Sequence, residues 1–175
     1  MKITVRRRGL IPAEAMVAQP SEWLPSTTGA TELAPAVAAA PLFAGMDRSE
    51  IGRVLASFDE VHYLRGRRVL VEGLRGSDFF LVVAGAAAVI VDGWRVATLG
   101  PGDFFGEMAV LGAGLRTASV RAETPLRCLV LPNGKLEALL LEHPQLGLNV
   151  LHVLVTRFTD LTGRRQPPAI EAGGD

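Results

Sequence analysis

The chain has 175 residues, 49% of them hydrophobic and 21% charged, which is enough for one domain with a real core. Its 18 basic and 18 acidic residues balance, so the basic excess that marks a nucleic-acid binder is missing. A single cysteine, Cys128, excludes a disulfide framework, a four-cysteine iron–sulfur cluster and a Cys-rich zinc site, and fits a reducing cytoplasm.

Residues 1–40 carry Pro12, Pro20, Pro25 and Pro35, a Ser-Thr-Thr-Gly patch and an Ala-rich end, with no lasting helical or strand period. They read as a flexible N-terminal arm. Pro12 and Glu14 break the apolar stretch that a secretory signal needs. Trp23 and Leu24 read as an anchor that folds back on the domain, and Arg6 to Arg8 as a solvated tail. The longest apolar run, Leu81 to Val91, falls short of the roughly 18 to 20 residues of a membrane helix. A soluble, cytoplasmic protein with no membrane span is expected.

The domain is expected over 41–162. Asp47 with Glu50 three positions on is a capping-box pattern, and Ile51, Val54 and Leu55 share a helical face, so a helix runs over about 47–57. From Phe58 to Leu131, short Val-, Leu- and Phe-rich runs alternate with turn signals about every ten residues. Asp92-Gly93 is the strongest hairpin signal among them. This predicts a compact all-β barrel or jelly roll. Asn133 is a candidate N-cap for KLEALLLEH, and Pro144 suits the first turn of a longer helix. In that helix Leu148, Leu151, Val155, Phe158 and Leu161 share a face, with Leu154 beside it. Val150, Val153 and Leu154 fall partly off this stripe, an apolar excess that asks for a second surface. Residues 163–175 read as a disordered tail. The fold class is α+β: about eight antiparallel strands in a β-roll, flanked by one N-terminal and two C-terminal helices.

FFGEMAVLGAGLRTAS, residues 104–119, holds one acid and one base, Glu107 and Arg116, in an otherwise apolar and glycine-rich run. Lone charges do not suit a core. One helical turn after Phe104-Phe105 would aim free backbone N–H groups at a common point, where an anion binds. Gly106 permits close backbone approach. Glu107 could accept hydrogen bonds from sugar hydroxyls, Arg116 could grip the same phosphate with two prongs, and Thr117 adds a hydroxyl. A purely structural Glu107–Arg116 ion pair is the competing reading.

Phe105-Gly106-Glu107-Met108-Ala109-Val110-Leu111 followed by Arg116-Thr117-Ala118-Ser119-Val120 resembles the phosphate-binding cassette of the cyclic nucleotide-binding domain family. That family includes catabolite-activator-type regulators, regulatory subunits of cyclic-nucleotide-dependent kinases, and gated channels. Gly73 to Phe80 and Leu99 to Glu107 agree with it too, and the resemblance covers about Pro41 to Leu161. It implies a ligand site made of Gly106, Glu107, Met108, Ala109, Arg116, Thr117 and Ala118. Arg116 would pair with the cyclic phosphate, Glu107 would hold the ribose 2′-hydroxyl, and backbone N–H groups near Gly106, Ala109, Thr117 and Ala118 would complete the cradle. The last helix would lid the base with side chains from Leu148, Leu151, His152 and Val155. The ligand implied is cAMP, with cGMP close behind because of Thr117, and no cofactor or metal is expected besides it.

No catalytic constellation or P-loop appears, so the chain reads as a binder and not an enzyme. Cys128 reads as inert core, and His62 as a satisfied strand histidine, with haem ligation as the alternative considered. The chain ends about a dozen residues past the last helix, where related regulators continue into a helix-turn-helix, so direct DNA binding in that manner is not expected. The resemblance implies a homodimer through the last helix and a stand-alone sensor that signals to an unidentified protein partner. A scaffold or interaction module of the same fold, no longer dependent on nucleotide, is the alternative.

Overall fold

The computed structural model describes residues 35–132 and 134–163. Trp23, Leu24, the arginines at 6–8, Asn133 and the tail from 164 lie outside the described residues. A short helix α1 (Pro35–Ala38) and a 3-10 turn (Pro41–Phe43) lead into α2 (Arg48–Leu55). Val37 and Ala40 are already buried in the core, ahead of the boundary expected at residue 41. The capping box forms as expected: Asp47 Oδ1 accepts from the backbone N–H groups of Ser49 and Glu50, and Glu50 accepts from that of Asp47.

Eight strands follow: β1 (Asp59–Tyr63), β2 (Arg68–Leu70), β3 (Phe79–Ala84), β4 (Ala87–Val91), β5 (Trp94–Leu99), β6 (Phe104–Phe105), β7 (Ser119–Ala122) and β8 (Leu126–Leu131). A five-residue helix α3 (Glu107–Leu111) interrupts them between β6 and β7. They pair antiparallel in two four-stranded sheets, ordered β1-β8-β3-β6 and β2-β7-β4-β5. The architecture is a β-roll of two sheets, not a closed barrel. Asp92 and Gly93 both take positive φ, 50° and 79°, which is the turn geometry that a two-residue hairpin between β4 and β5 requires.

Strand β3 explains how two cores fit on one small domain. Its side chains alternate faces, so Phe79, Leu81 and Val83 meet the helices while Phe80 and Val82 point between the sheets. Phe104 and Phe105 split in the same way, and Phe80 stacks on Phe105 with ring centroids 4.8 Å apart. Cys128 is fully buried between the sheets, and burial pushes its thiol up to about 12, so it is inert at neutral pH. His62 contacts the Glu60 carboxylate at 2.9 Å on the surface of β1.

The last two helices are α4 (Lys135–Glu142) and α5 (Pro144–Gly163), meeting at a 115° bend. Pro144 opens α5, as its missing N–H allows. The face of α5 that packs inward differs from the one the apolar stripe suggested. Leu146, Asn149 and Val150 are buried, and Val153 and Leu154 pack against the helix-side core. Leu148, Leu151, Val155 and Phe158 are exposed. A polar residue sets this orientation. The Asn149 amide donates to the carbonyls of Leu42 and Ala44, both at 2.9 Å, and its oxygen accepts from Gln145. The first bond pairs the carbonyl of buried Leu42, which left unpaired would cost about 1–3 kcal/mol, and the second pairs that of Ala44 at the end of the 3-10 turn. Among the described residues no single helix is long and apolar enough to cross a membrane.

Candidate functional site

A cleft of about 780 Å³ opens where the second sheet, α3 and the far half of α5 converge. Val89 and Val91 of β4, Val96 to Leu99 of β5, and Leu70 make one apolar wall. Gly106, Glu107, Met108 and Ala109, together with Arg116, Thr117 and Ala118, form the polar floor. Leu154, Val155, Arg157, Phe158 and Asp160 of α5 make the opposite wall.

Backbone contacts fix the floor. The turn 73–76 zips onto 114–116: Arg116 N donates to Leu74 O, Gly73 N to Arg116 O and Gly76 N to Gly114 O, at 2.8 to 3.1 Å. This carries the Arg116 side chain inward to 6% exposure, where Nη1 donates to the carbonyls of Asp78 (2.9 Å) and Gly106 (3.0 Å). Its other N–H groups make no hydrogen bond among the described residues. Two glycines make room for it. A Cβ on Gly76 would lie 2.5 to 2.8 Å from the guanidinium, and one on Gly106 would lie 2.7 Å from Asp78 O and 2.9 Å from Arg116 Nη1. Gly106 also has φ +89°, a left-handed conformation at the start of α3 that glycine alone adopts without strain. Burial lowers the Arg116 pKa from its usual 12.5, opposed by the charges of Asp78 and Glu107, and the group stays cationic.

Glu107 is 4% exposed at the first turn of α3. It makes no ion pair with Arg116, so the purely structural pairing does not form. Its Oε1 instead faces Arg157 Nη1 of α5 at 3.4 Å, and its Oε2 is buried with no hydrogen-bond partner. Burial raises the Glu107 pKa above its ordinary 4.5, and the positive charges of Arg157 and Arg116 hold it back. Arg157 also lies over the Phe104 ring at 4.7 Å and 3.9 Å from Asp103, and its Nη2 is likewise buried without a hydrogen bond.

The seven expected floor residues all line this one cleft. Of the four lid candidates, Val155 lines it, whereas Leu148, Leu151 and His152 are exposed earlier on α5, outside the lining. The part of α5 over the cleft begins at Leu154 because Asn149 and Val150 pin the preceding turns to the 3-10 turn. Gly76, the Asp78 carbonyl, Asp103 and Arg157 received no role from the sequence. Gly76 and Asp78 sit in a stretch whose pattern already stood out, so that clue was present. Arg157 lies 50 residues from Glu107, and nothing local marks the pair.

Fold and floor together define a ligand-binding β-roll whose cleft offers a buried cation beside a buried carboxylate. The profile of the family described as the cyclic nucleotide-binding domain matches residues 60–143, just under half of the chain. Glutaminase 2 of Bradyrhizobium diazoefficiens is 36% identical over 114 residues, which cover 65% of this chain and 18% of that enzyme. A CRP-like cAMP-activated global transcriptional regulator of Mycobacterium tuberculosis is 27% identical over 73% of this chain and 65% of its own length. The crystal structure of a cyclic nucleotide-binding domain from Methylobacillus flagellatus superposes with a TM-score of 0.66 at 27% identity, covering 82% of this chain and 84% of that one. The chain thus spans less than two thirds of the full length of either of these two relatives.

Proposed function

We propose that the chain is a cyclic nucleotide sensor that binds cAMP, and cGMP second, and passes the signal to a protein partner through α5. One observation carries this reading: two opposite charges, each more than nine-tenths buried, line a single cleft without neutralising each other. Burying both is costly unless something completes them. A cyclic phosphate takes the free N–H groups of Arg116 and the backbone amides beside Gly106, Thr117 and Ala118. A ribose hydroxyl donates to Glu107 Oε2. The base lies between the apolar wall of β4 and β5 and the α5 residues Leu154, Val155 and Phe158. The cAMP-activated regulator among the relatives supports cAMP as the first ligand. The site binds and does not catalyse; the similarity to a glutaminase covers under a fifth of that enzyme. The exposed stripe of Leu148, Leu151, Val155 and Phe158 supports a homodimer through α5, and a cytoplasmic location fits this reading.

Calorimetry with cAMP and cGMP tests it. Micromolar or tighter binding is expected, with Arg116→Ala weakening it at least about 100-fold, the scale of losing charge-assisted hydrogen bonds to phosphate. No heat with either nucleotide overturns the reading and leaves an interaction module that does not depend on nucleotide.

A further inference from the structure

Four arginines gather where β2 meets β7: Arg65 and Arg67 in the turn from β1 to β2, Arg68 on β2 and Arg121 on β7. Backbone contacts bring them together. Gly66 N donates to Ala122 O at 2.7 Å and Ala122 N to Arg67 O at 2.9 Å, which ties the turn to β7. Strand β2 then pairs with β7 in a shifted register, with Arg68 opposite Arg121 and Leu70 opposite Val120, so Val69 is an extra residue in β2. Strict alternation would place Arg68 on the face of Leu70, which lines the cleft. The bulge turns Arg68 outward instead, beside Arg121, and both side chains are exposed.

This placement is unfavourable by itself. Like charges directly opposite on paired strands repel. Among the described residues none of the four guanidiniums takes part in an ion pair or a hydrogen bond, and Nε of Arg67 is buried without a partner. The acids that follow them in the chain are committed elsewhere: Glu72 accepts from the backbone N–H of Asp92 at 3.0 Å, and Glu123 from Arg95 at 2.8 Å. The chain as a whole balances 18 basic against 18 acidic residues, so this excess is local.

We propose that the arginine face of β2 and β7 docks an acidic segment of a partner protein, whose carboxylates supply the counter-charge that the sheet lacks. A guanidinium holds a carboxylate with two parallel hydrogen bonds, and one carboxylate seated between Arg68 and Arg121 replaces their repulsion by two attractions. Nucleic acid fits less well. It is held through many phosphate contacts that weaken steeply with salt, and four arginines on a chain of zero net charge supply few of them. A membrane surface needs apolar side chains beside the basic ones, and the turn offers only Leu64, 36% exposed. The inference stands apart from the nucleotide reading, because none of the four arginines lines the cleft.

The experiment follows a fluorescein-labelled peptide of alternating glutamate and serine by anisotropy. It is titrated with the full chain, with Arg68→Gln/Arg121→Gln, and with an Arg48→Gln/Arg53→Gln control that removes the same charge from exposed positions of α2. Wild type and control are expected to bind alike at low salt and to weaken together as salt rises. The sheet variant is expected to bind at least about tenfold more weakly, the scale of losing close charge pairs at an interface. Equal binding by all three proteins, no binding by the wild type, or tighter binding of a random DNA duplex or of phosphatidylserine vesicles overturns the proposal. Thermal melts form the second arm and use no peptide. Arg68→Gln alters only the edge strand of the second sheet. Salt is expected to raise the wild-type melting temperature more than that of Arg68→Gln, because screening relieves a repulsion that only the wild type carries. An identical salt response in the two overturns the proposal.

Discussion

The floor and the α5 wall of the cleft are built on opposite principles. The floor is over-determined. Three backbone hydrogen bonds lock the turn 73–76 onto 114–116, two carbonyls hold Arg116, and two glycines leave it only just enough room. The wall is under-determined. Past Val150 the helix presents half-buried or exposed side chains, and among the described residues Arg157 alone links it by charge to the rest of the cleft, through a single-pronged contact with Glu107 at 3.4 Å, with an unpartnered atom on each side, and a looser one with Asp103 at 3.9 Å. A floor that needs no rearrangement can bind without a reorganisation cost, and a wall held by few contacts can change position when a ligand arrives. A ligand that prefers one position of α5 would shift its population, and α5 also carries the exposed apolar stripe.

The comparison breaks most sharply at Gly76. Its φ is ordinary, so alanine is acceptable to the backbone, but the added Cβ would sit 2.5 to 2.8 Å from the Arg116 guanidinium. The end of a long side chain can yield; the fold should survive while the arginine leaves its seat. Gly76→Ala is expected to change stability by less than about 1 kcal/mol and to weaken cAMP binding by about 10- to 100-fold, the worth of charge-assisted hydrogen bonds. Thermal melts and calorimetry on the same sample check both halves. A variant that binds normally would show the floor to be looser than its contacts indicate.

Much of this was legible in the sequence, for reasons that differ by region. The capping box of α2, the Asp92-Gly93 hairpin and the Pro144 helix start are local chemistry, in which a few adjacent residues decide the backbone. The floor residues were legible because a buried cassette must keep its special residues close together in the chain. The orientation of α5 was not legible. Leu148, Leu151, Val155 and Phe158 form the better apolar stripe, yet the helix turns them outward, because Asn149 satisfies two carbonyls from 105 and 107 residues away. Periodicity records which residues share a face and not which face meets the core. The Arg157–Glu107 contact was hidden for the same reason, since it depends on where the helix lies over the roll.

The outer face of the wall gives the next test. If the exposed stripe joins two copies, a charge in its middle splits them without touching the floor. Leu151, 54% exposed and outside the cleft lining, is the position to alter. Leu151→Asp is expected to convert a dimer to a monomer by sedimentation or light scattering, with cAMP affinity changed by less than about threefold, since burying an unpaired carboxylate is prohibitive only in the joined state. A wild type that is already monomeric at high concentration would leave the stripe without a second copy.

The smallest effect lies where floor and wall meet, and it bears on stability. Burial raises the Glu107 pKa above 4.5 in the folded chain. Below about 4.5 both folded and unfolded chains hold the proton, and the group contributes no difference between them. As the pH rises, the unfolded chain releases its proton first, and stability drains away until the raised folded value has been passed. Above that point the deficit is constant, because the folded chain carries a desolvated carboxylate. Glutamine has the same shape and no charge. Ligand-free Glu107→Gln is therefore expected to melt above the wild type at pH 7.5, with the gap closing as the pH is lowered toward 4.5, while it binds cAMP more weakly. A gap of the opposite sign, or one that ignores pH, would mean that Arg157 and Arg116 already outweigh the burial of Glu107. The site would then hold its carboxylate as firmly as it holds its arginine, and the contrast between floor and wall would end at this residue.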